Sequence, residues 1–140
     1  VRKMSKSDEN INGFVSMLDD PDTIIRKFKR AVTDSETVIR YDRENKAGVS
    51  NLMEIYGCAT GQTLEEVSAA FEGKGYGDFK KAVGEVVADA IHPIQEEYHR
   101  LLSDKGELES IMKHGAEQAG RIAGKTLSKV RRKVGFVTVK

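Results

Sequence analysis

Asp78-Phe79-Lys80-Lys81-Ala82-Val83-Gly84-Glu85-Val86-Val87-Ala88-Asp89-Ala90-Ile91 is the stretch whose period decides the fold. Its apolar residues Phe79, Val83, Val86, Val87, Ala90 and Ile91 recur three and four positions apart, and the pattern continues through Ile94, Tyr98 and Leu101. That is the period of a helix with one buried face, and it predicts a helix from about Asp78 to Leu102. Pro93 falls inside this helix and is expected to kink it, because proline removes one backbone bond and crowds the preceding turn.

Working back from this helix, Gly73-Lys74-Gly75-Tyr76-Gly77 reads as a turn, since three glycines in five residues weaken a helix. Thr63 to Glu66 spells a capping box that opens a short helix, with Leu64, Val67 and Phe71 facing inward. Another helix is predicted from near Ser50, with Leu52, Ile55, Tyr56 and Ala59 as its buried stripe and Gly61 as a left-handed stop. Cys58, beside that stripe, reads as a small core residue. Thr33 to Gly48 is dense in charge and turn formers and reads as loop. Asp20 and Pro21 open a first helix that runs to about Ala31, with Ile24, Ile25, Phe28 and Val32 at helical spacing. The apolar run Phe14 to Leu18 is too short for periodicity to assign.

Working forward, Ser103 to Gly106 separates the long helix from a last one that reaches about Lys133. Leu108, Ile111, Met112, Ala119, Ile122, Ala123, Leu127, Val130 and Val134 form its apolar stripe. Gly115, Gly120 and Gly124 lower its intrinsic helicity, so packing must stabilise it. Phe136 to Val139 is an apolar tail. The expected fold is all-α, a bundle of about five helices.

A chain of 140 residues is long enough for one domain with a real core. Its 23 Lys and Arg nearly balance 22 Asp and Glu, so overall charge selects no partner. Distribution says more: seven basic residues and no acidic one lie between Arg121 and Lys140, and Arg26-Lys27-Phe28-Lys29-Arg30 holds four in five. Such runs suit phosphates, or simply a solvated face. One cysteine excludes an internal disulfide and a cysteine-based zinc cluster. With no apolar run of membrane-spanning length and no signal peptide, the expected location is cytoplasmic. The start at Val1, without methionine, is expected to be a cut end of a longer protein.

Few residues suggest chemistry. His92 and His99 stand seven positions apart on one predicted helix, about 10 Å along its axis, too far to share a metal ion. His114 has no neighbour at ligand spacing, so no metal site is expected. The glycine-rich turn at Gly73 follows a helix rather than a strand and lacks phosphate-loop spacing. The exception is Lys3-Met4-Ser5-Lys6-Ser7, with two ammonium groups and two hydroxyls in five residues. Composition fits an exposed terminus. The chemistry also fits a clamp on a chain of phosphates, with the lysines as point charges.

The order of residues decides between them. Lys3 to Ser7 resembles the KMSKS signature of class I aminoacyl-tRNA synthetases. It is followed by Asp8-Glu9-Asn10, Leu18-Asp19-Asp20-Pro21, Lys29 to Ser35, Arg40-Tyr41-Asp42, Lys46 to Leu52, Gly73 to Gly77 and Pro93-Ile94-Gln95-Glu96. In this order, from Lys3 to about Phe136, the chain resembles the C-terminal portion of the bacterial-type tryptophanyl-tRNA synthetases. Ala31 to Ser35 and Lys46 to Leu52 point to the tryptophan enzymes rather than to their tyrosine relatives.

That resemblance implies that the intact parent, expected to be a homodimer, is an enzyme that activates tryptophan with ATP, with Mg2+ expected, and transfers it to tRNA(Trp). It implies that Lys3 and Lys6 act as catalytic charges on the pyrophosphate leaving group. Met4, Ser5 and Ser7 would complete the ATP-phosphate contact. Residues 1–13 would be the signature loop, 14–102 a helical anticodon-binding domain, and 103–140 a C-terminal helix that packs on the catalytic domain. The Rossmann-like sheet, the tryptophan pocket and the His-x-x-His-like element are absent from these residues, so the chain alone is expected to be inactive. The competing expectation is a stand-alone, non-catalytic helical RNA-binding or interaction domain.

Overall fold

The computed structural model describes residues 10–136. Its helices are α1 (Pro21–Lys29), α2 (Ala47–Thr60), α3 (Leu64–Ala70), α4 (Tyr76–Ser103) and α5 (Lys105–Val134). No strand occurs among the described residues, and the all-α expectation holds. The chain divides into two compact units between Glu96 and Glu97.

The core of the first unit is built from Ile24, Phe28, Ile39, Val49, Leu52, Met53, Val67, Phe71, Phe79, Val83 and Ala88. Its aromatic centre joins Phe71 to Tyr56 and Phe79, with ring centroids 5.2 and 4.9 Å apart and edge-on geometry. This arrangement sets the electropositive ring edge against the π face. Asp20 caps α1 by accepting from the Thr23 backbone N–H at 2.9 Å. The capping box of α3 is complete, with Glu66 N–H donating to Thr63 Oγ1 and Thr63 N–H donating to the Glu66 carboxylate. Gly61 ends α2 with φ at 74°, the left-handed conformation that glycine adopts without a Cβ clash.

Close approach fixes where α1 meets α4. A Cβ built on Gly84 would stand 2.8 Å from Ile25 Cα, so only glycine lets the two backbones come together there. Gln95 fastens the preceding segment to α4, its Nε2 donating to the carbonyls of Met17 and Asp19 at 2.8 Å.

Several boundaries and burials differ from expectation. α2 begins at Ala47, three residues before Ser50, and buries Val49, Ser50, Leu52, Met53 and Gly57. Ala59 is therefore exposed, and so is Cys58, which is not a core residue. The buried face follows Val49, Met53 and Gly57, and Cys58 lies one residue past it, turned about 100° away. α4 starts at Tyr76, inside the predicted turn, and its helical assignment continues through Pro93. Its last fully buried residue is Ala88, and Ile91 packs half-buried against the core, whereas Ala90, Ile94 and Tyr98 are exposed.

In the second unit, Arg100 donates to Glu97 and to Glu107 at 2.6–3.0 Å, tying the end of α4 to the start of α5. Asp104 caps α5 by accepting from the Glu107 N–H. No side chain of α5 is buried.

Candidate functional site

The five signature residues, Lys3, Met4, Ser5, Lys6 and Ser7, lie outside the described residues. The structure gives the scaffold on which the sequence after them is mounted. Asn10, Asn12 and Gly13 rim a cavity of about 500 Å³ with Lys27, Arg30 and Asn51, over a floor that includes Phe14, Phe28, Leu52 and Ile91.

The basic run Arg26 to Arg30 is not a uniform phosphate-facing patch. Lys27 is buried, its ammonium 2.5 Å from Asp19 Oδ2 and 5.1 Å from the centre of the Phe14 ring. That charge is used in holding the segment before α1 against the helix. Arg26, Lys29 and Arg30 remain exposed.

The densest polar cluster surrounds Lys46, the residue before α2, whose side chain is 1% exposed. Its ammonium donates to Asp34 Oδ1 at 3.1 Å and to the Tyr76 hydroxyl at 2.9 Å, and it pairs with Glu36 at 2.7 Å. The Tyr76 hydroxyl in turn donates to Asp34 at 2.7 Å. Burial alone pulls the Lys46 pKa down, but the hydrogen bonds to Glu36, Tyr76 and Asp34 outweigh it and hold the ammonium above its ordinary value. The hydrogen bond from Tyr76, with that from Lys46 and against the pull of burial, holds Asp34 down at about 2. Burial, foremost, raises the Tyr76 phenol. Four groups from three separate parts of the chain thus pin the loop after α1 to the starts of α2 and α4.

Beyond that node the loop presents a hydrogen-bonded surface. Asp42 accepts from the Asn45 backbone and side chain and from Arg40, which together hold its carboxyl at about 2. Glu54 accepts from the Tyr41 hydroxyl at 2.6 Å and from Arg43 at 2.8 Å. Arg40 and Lys74 also line a cavity of about 670 Å³ with Thr37, Ser68, Glu72 and Gly75. Such a recess, rimmed by exposed cations and hydrogen-bonding groups, is chemically suited to a polar, phosphate-bearing ligand. Among the described residues, no three His, Cys, Asp or Glu side chains gather as a metal site, and no helix is long and apolar enough to cross a membrane.

The family model for class I tRNA synthetases (W and Y) matches residues 1–91. The chain belongs to that family. Within it, the likeness is to tryptophanyl enzymes. The tryptophan–tRNA ligase of Bacillus anthracis is 52% identical over 136 residues, which cover 97% of this chain and 41% of the relative. That of Enterococcus faecalis is also 52% identical over 136 residues, covering 97% of this chain and 40% of the relative. The crystal structure of tryptophanyl-tRNA synthetase from Mycoplasma pneumoniae superposes with a TM-score of 0.77 at 26% identity, covering 96% of this chain and 41% of that one. The chain therefore spans about two-fifths of the length of these synthetases.

Sequence reasoning found the signature and the family but missed the Lys46 node. Its partners come from positions 34, 36 and 76, so no local period announces them.

Proposed function

We propose that this chain supplies the ATP-phosphate loop and a helical tRNA-binding module to a tryptophan–tRNA ligase. The observation that carries the reading is the 52% identity to the Bacillus anthracis ligase across 97% of the chain. In the whole enzyme, tryptophan and ATP give tryptophanyl-adenylate and pyrophosphate, and the tryptophanyl group then passes to tRNA(Trp). Lys3 and Lys6 stabilise the charge that builds on the pyrophosphate oxygens as the α–β phosphate link breaks. Ser5 and Ser7 donate hydroxyl hydrogen bonds to the phosphates, and Met4 contributes backbone. Any Mg2+ arrives with the nucleotide.

The helices behind the loop are the RNA-facing part. The exposed surface around Arg40, Tyr41 and Arg43, with Lys74 across the recess, offers the cations and planar groups that meet phosphates and bases. Residues 103–140 are proposed to lie against the catalytic domain in the longer enzyme.

Binding of tRNA(Trp) by the 140-residue chain, followed by mobility shift across a salt series, tests the module. Affinity is expected to fall steeply as salt rises, because each phosphate contact releases a counterion. No binding at low salt would overturn the RNA-facing role. The same chain is expected to show no tryptophan-dependent ATP–pyrophosphate exchange, and measurable exchange would contradict the assignment of adenylate formation to additional sequence.

A further inference from the structure

The loop between α1 and α2, residues 30–46, contains neither helix nor strand, yet side chains fasten it to the helices around it. Ile39 is buried in the core, and its carbonyl accepts from the Ser68 hydroxyl at 3.2 Å. The Val38 carbonyl lies 3.2 Å from the Tyr76 hydroxyl, and the Asp42 N–H donates to the buried Ser50 hydroxyl at 2.8 Å. Lys46 ties the loop from inside, through Asp34, Glu36 and Tyr76. This frame presents Arg40, Tyr41 and Arg43 outward, and the two arginine side chains are 48% and 73% exposed.

We propose that Lys46 and Tyr76 are positioning residues for RNA binding: neither meets the RNA, and together they hold Arg40 and Arg43 where phosphates can reach them. The inference rests on the reading that this surface faces tRNA. Glu36 gives the coupling its mechanism. Its carboxylate pairs with Lys46 at 2.7 Å and stands 3.9 Å from the Arg40 guanidinium. Without the Lys46 ammonium, Glu36 turns to Arg40 and competes with phosphate for it. Without the Tyr76 hydroxyl, Lys46 and Asp34 lose a shared partner and the Val38 carbonyl loses its neighbour. A buried ionic cluster contributes no more to stability than well-packed apolar groups of the same volume; what it adds here is a fixed geometry. Cations already held in place lose less entropy on binding.

Binding of tRNA(Trp) to the 140-residue chain is measured across a salt series, at a temperature where circular dichroism shows every variant folded. Arg40→Ala with Arg43→Ala should weaken binding about tenfold and flatten the salt slope by about 1–2. Lys46→Met and Tyr76→Phe should each weaken it about 3–10-fold and flatten the slope by about 1. Tyr76→Phe alters no charge, so its flattened slope reports displaced arginines, whereas partial unfolding would lower the bound fraction and leave the slope unchanged. In the chain lacking both arginines, Lys46→Met and Tyr76→Phe should cause no further loss, because their effect passes through those side chains. Parent-like binding by Tyr76→Phe, or a loss that adds in full to that of the arginine pair, would overturn the positioning role and leave the RNA-facing reading standing. If removing the arginines changes neither affinity nor slope, the RNA-facing reading of this surface fails and the positioning role falls with it.

Discussion

Lys46 shows how one side chain organises a loop with no regular structure. Its ammonium is 1% exposed and contacts Asp34, Glu36 and Tyr76. Lys46→Met keeps the stem and removes the charge, leaving the half-buried Asp34 carboxylate with one fewer partner. The expected outcome is a lower melting temperature, with greater loss than in the surface variant Lys81→Met, measured by circular dichroism. Asp34 and Asp42 are both held at about 2. An unfolded Asp titrates near 3.9. Their stabilisation is therefore complete above pH ~4 and lost as pH falls through ~2. Asp34→Asn and Asp42→Asn should each flatten the stability profile between those limits; profiles parallel to the parent would contradict this. Little of it was legible beforehand. Lys27 looked like one member of a basic run, yet it is buried against Asp19. Cys58 looked like core because its neighbours are apolar, but the face of α2 is set by Val49, Met53 and Gly57.

Helices were the readable scale. Asp20-Pro21, the Thr63 to Glu66 box and Gly61 act through neighbours one to four residues away, and each forms the cap its chemistry calls for. Thr63→Ala removes one half of the box and should cost about 1 kcal/mol in denaturant unfolding. Gly84 is different, because nothing local reveals that Ile25 Cα stands where its Cβ would be. Gly84→Ala would raise the helix propensity of an isolated α4 segment, yet in the folded chain it forces α1 away and should destabilise by about 1–3 kcal/mol. A stabilised variant would show that the helices do not meet there. The starts of α2 and α4 came earlier than periodicity suggested, since Lys46 and Tyr76 anchor both ends through long-range contacts.

At the scale of the molecule, five helices and a core confined to the first unit make a scaffold without a sheet among the described residues. That architecture matches the corresponding part of the Mycoplasma pneumoniae tryptophanyl-tRNA synthetase and spans 41% of it. The signature, by contrast, is legible only as sequence: the order of Lys3 to Ser7 carries the resemblance, and these residues lie outside the described ones. The whole-enzyme claim is tested most directly by a chimera. The chain replaces the matching 41% of the Bacillus anthracis tryptophan–tRNA ligase, and tryptophan-dependent ATP–pyrophosphate exchange is measured. The account predicts exchange by the chimera, reduced about 10²–10³-fold by Lys6→Ala with tryptophan binding unchanged. A folded chimera that binds tryptophan but gives no exchange, or whose exchange ignores Lys6→Ala, would contradict it.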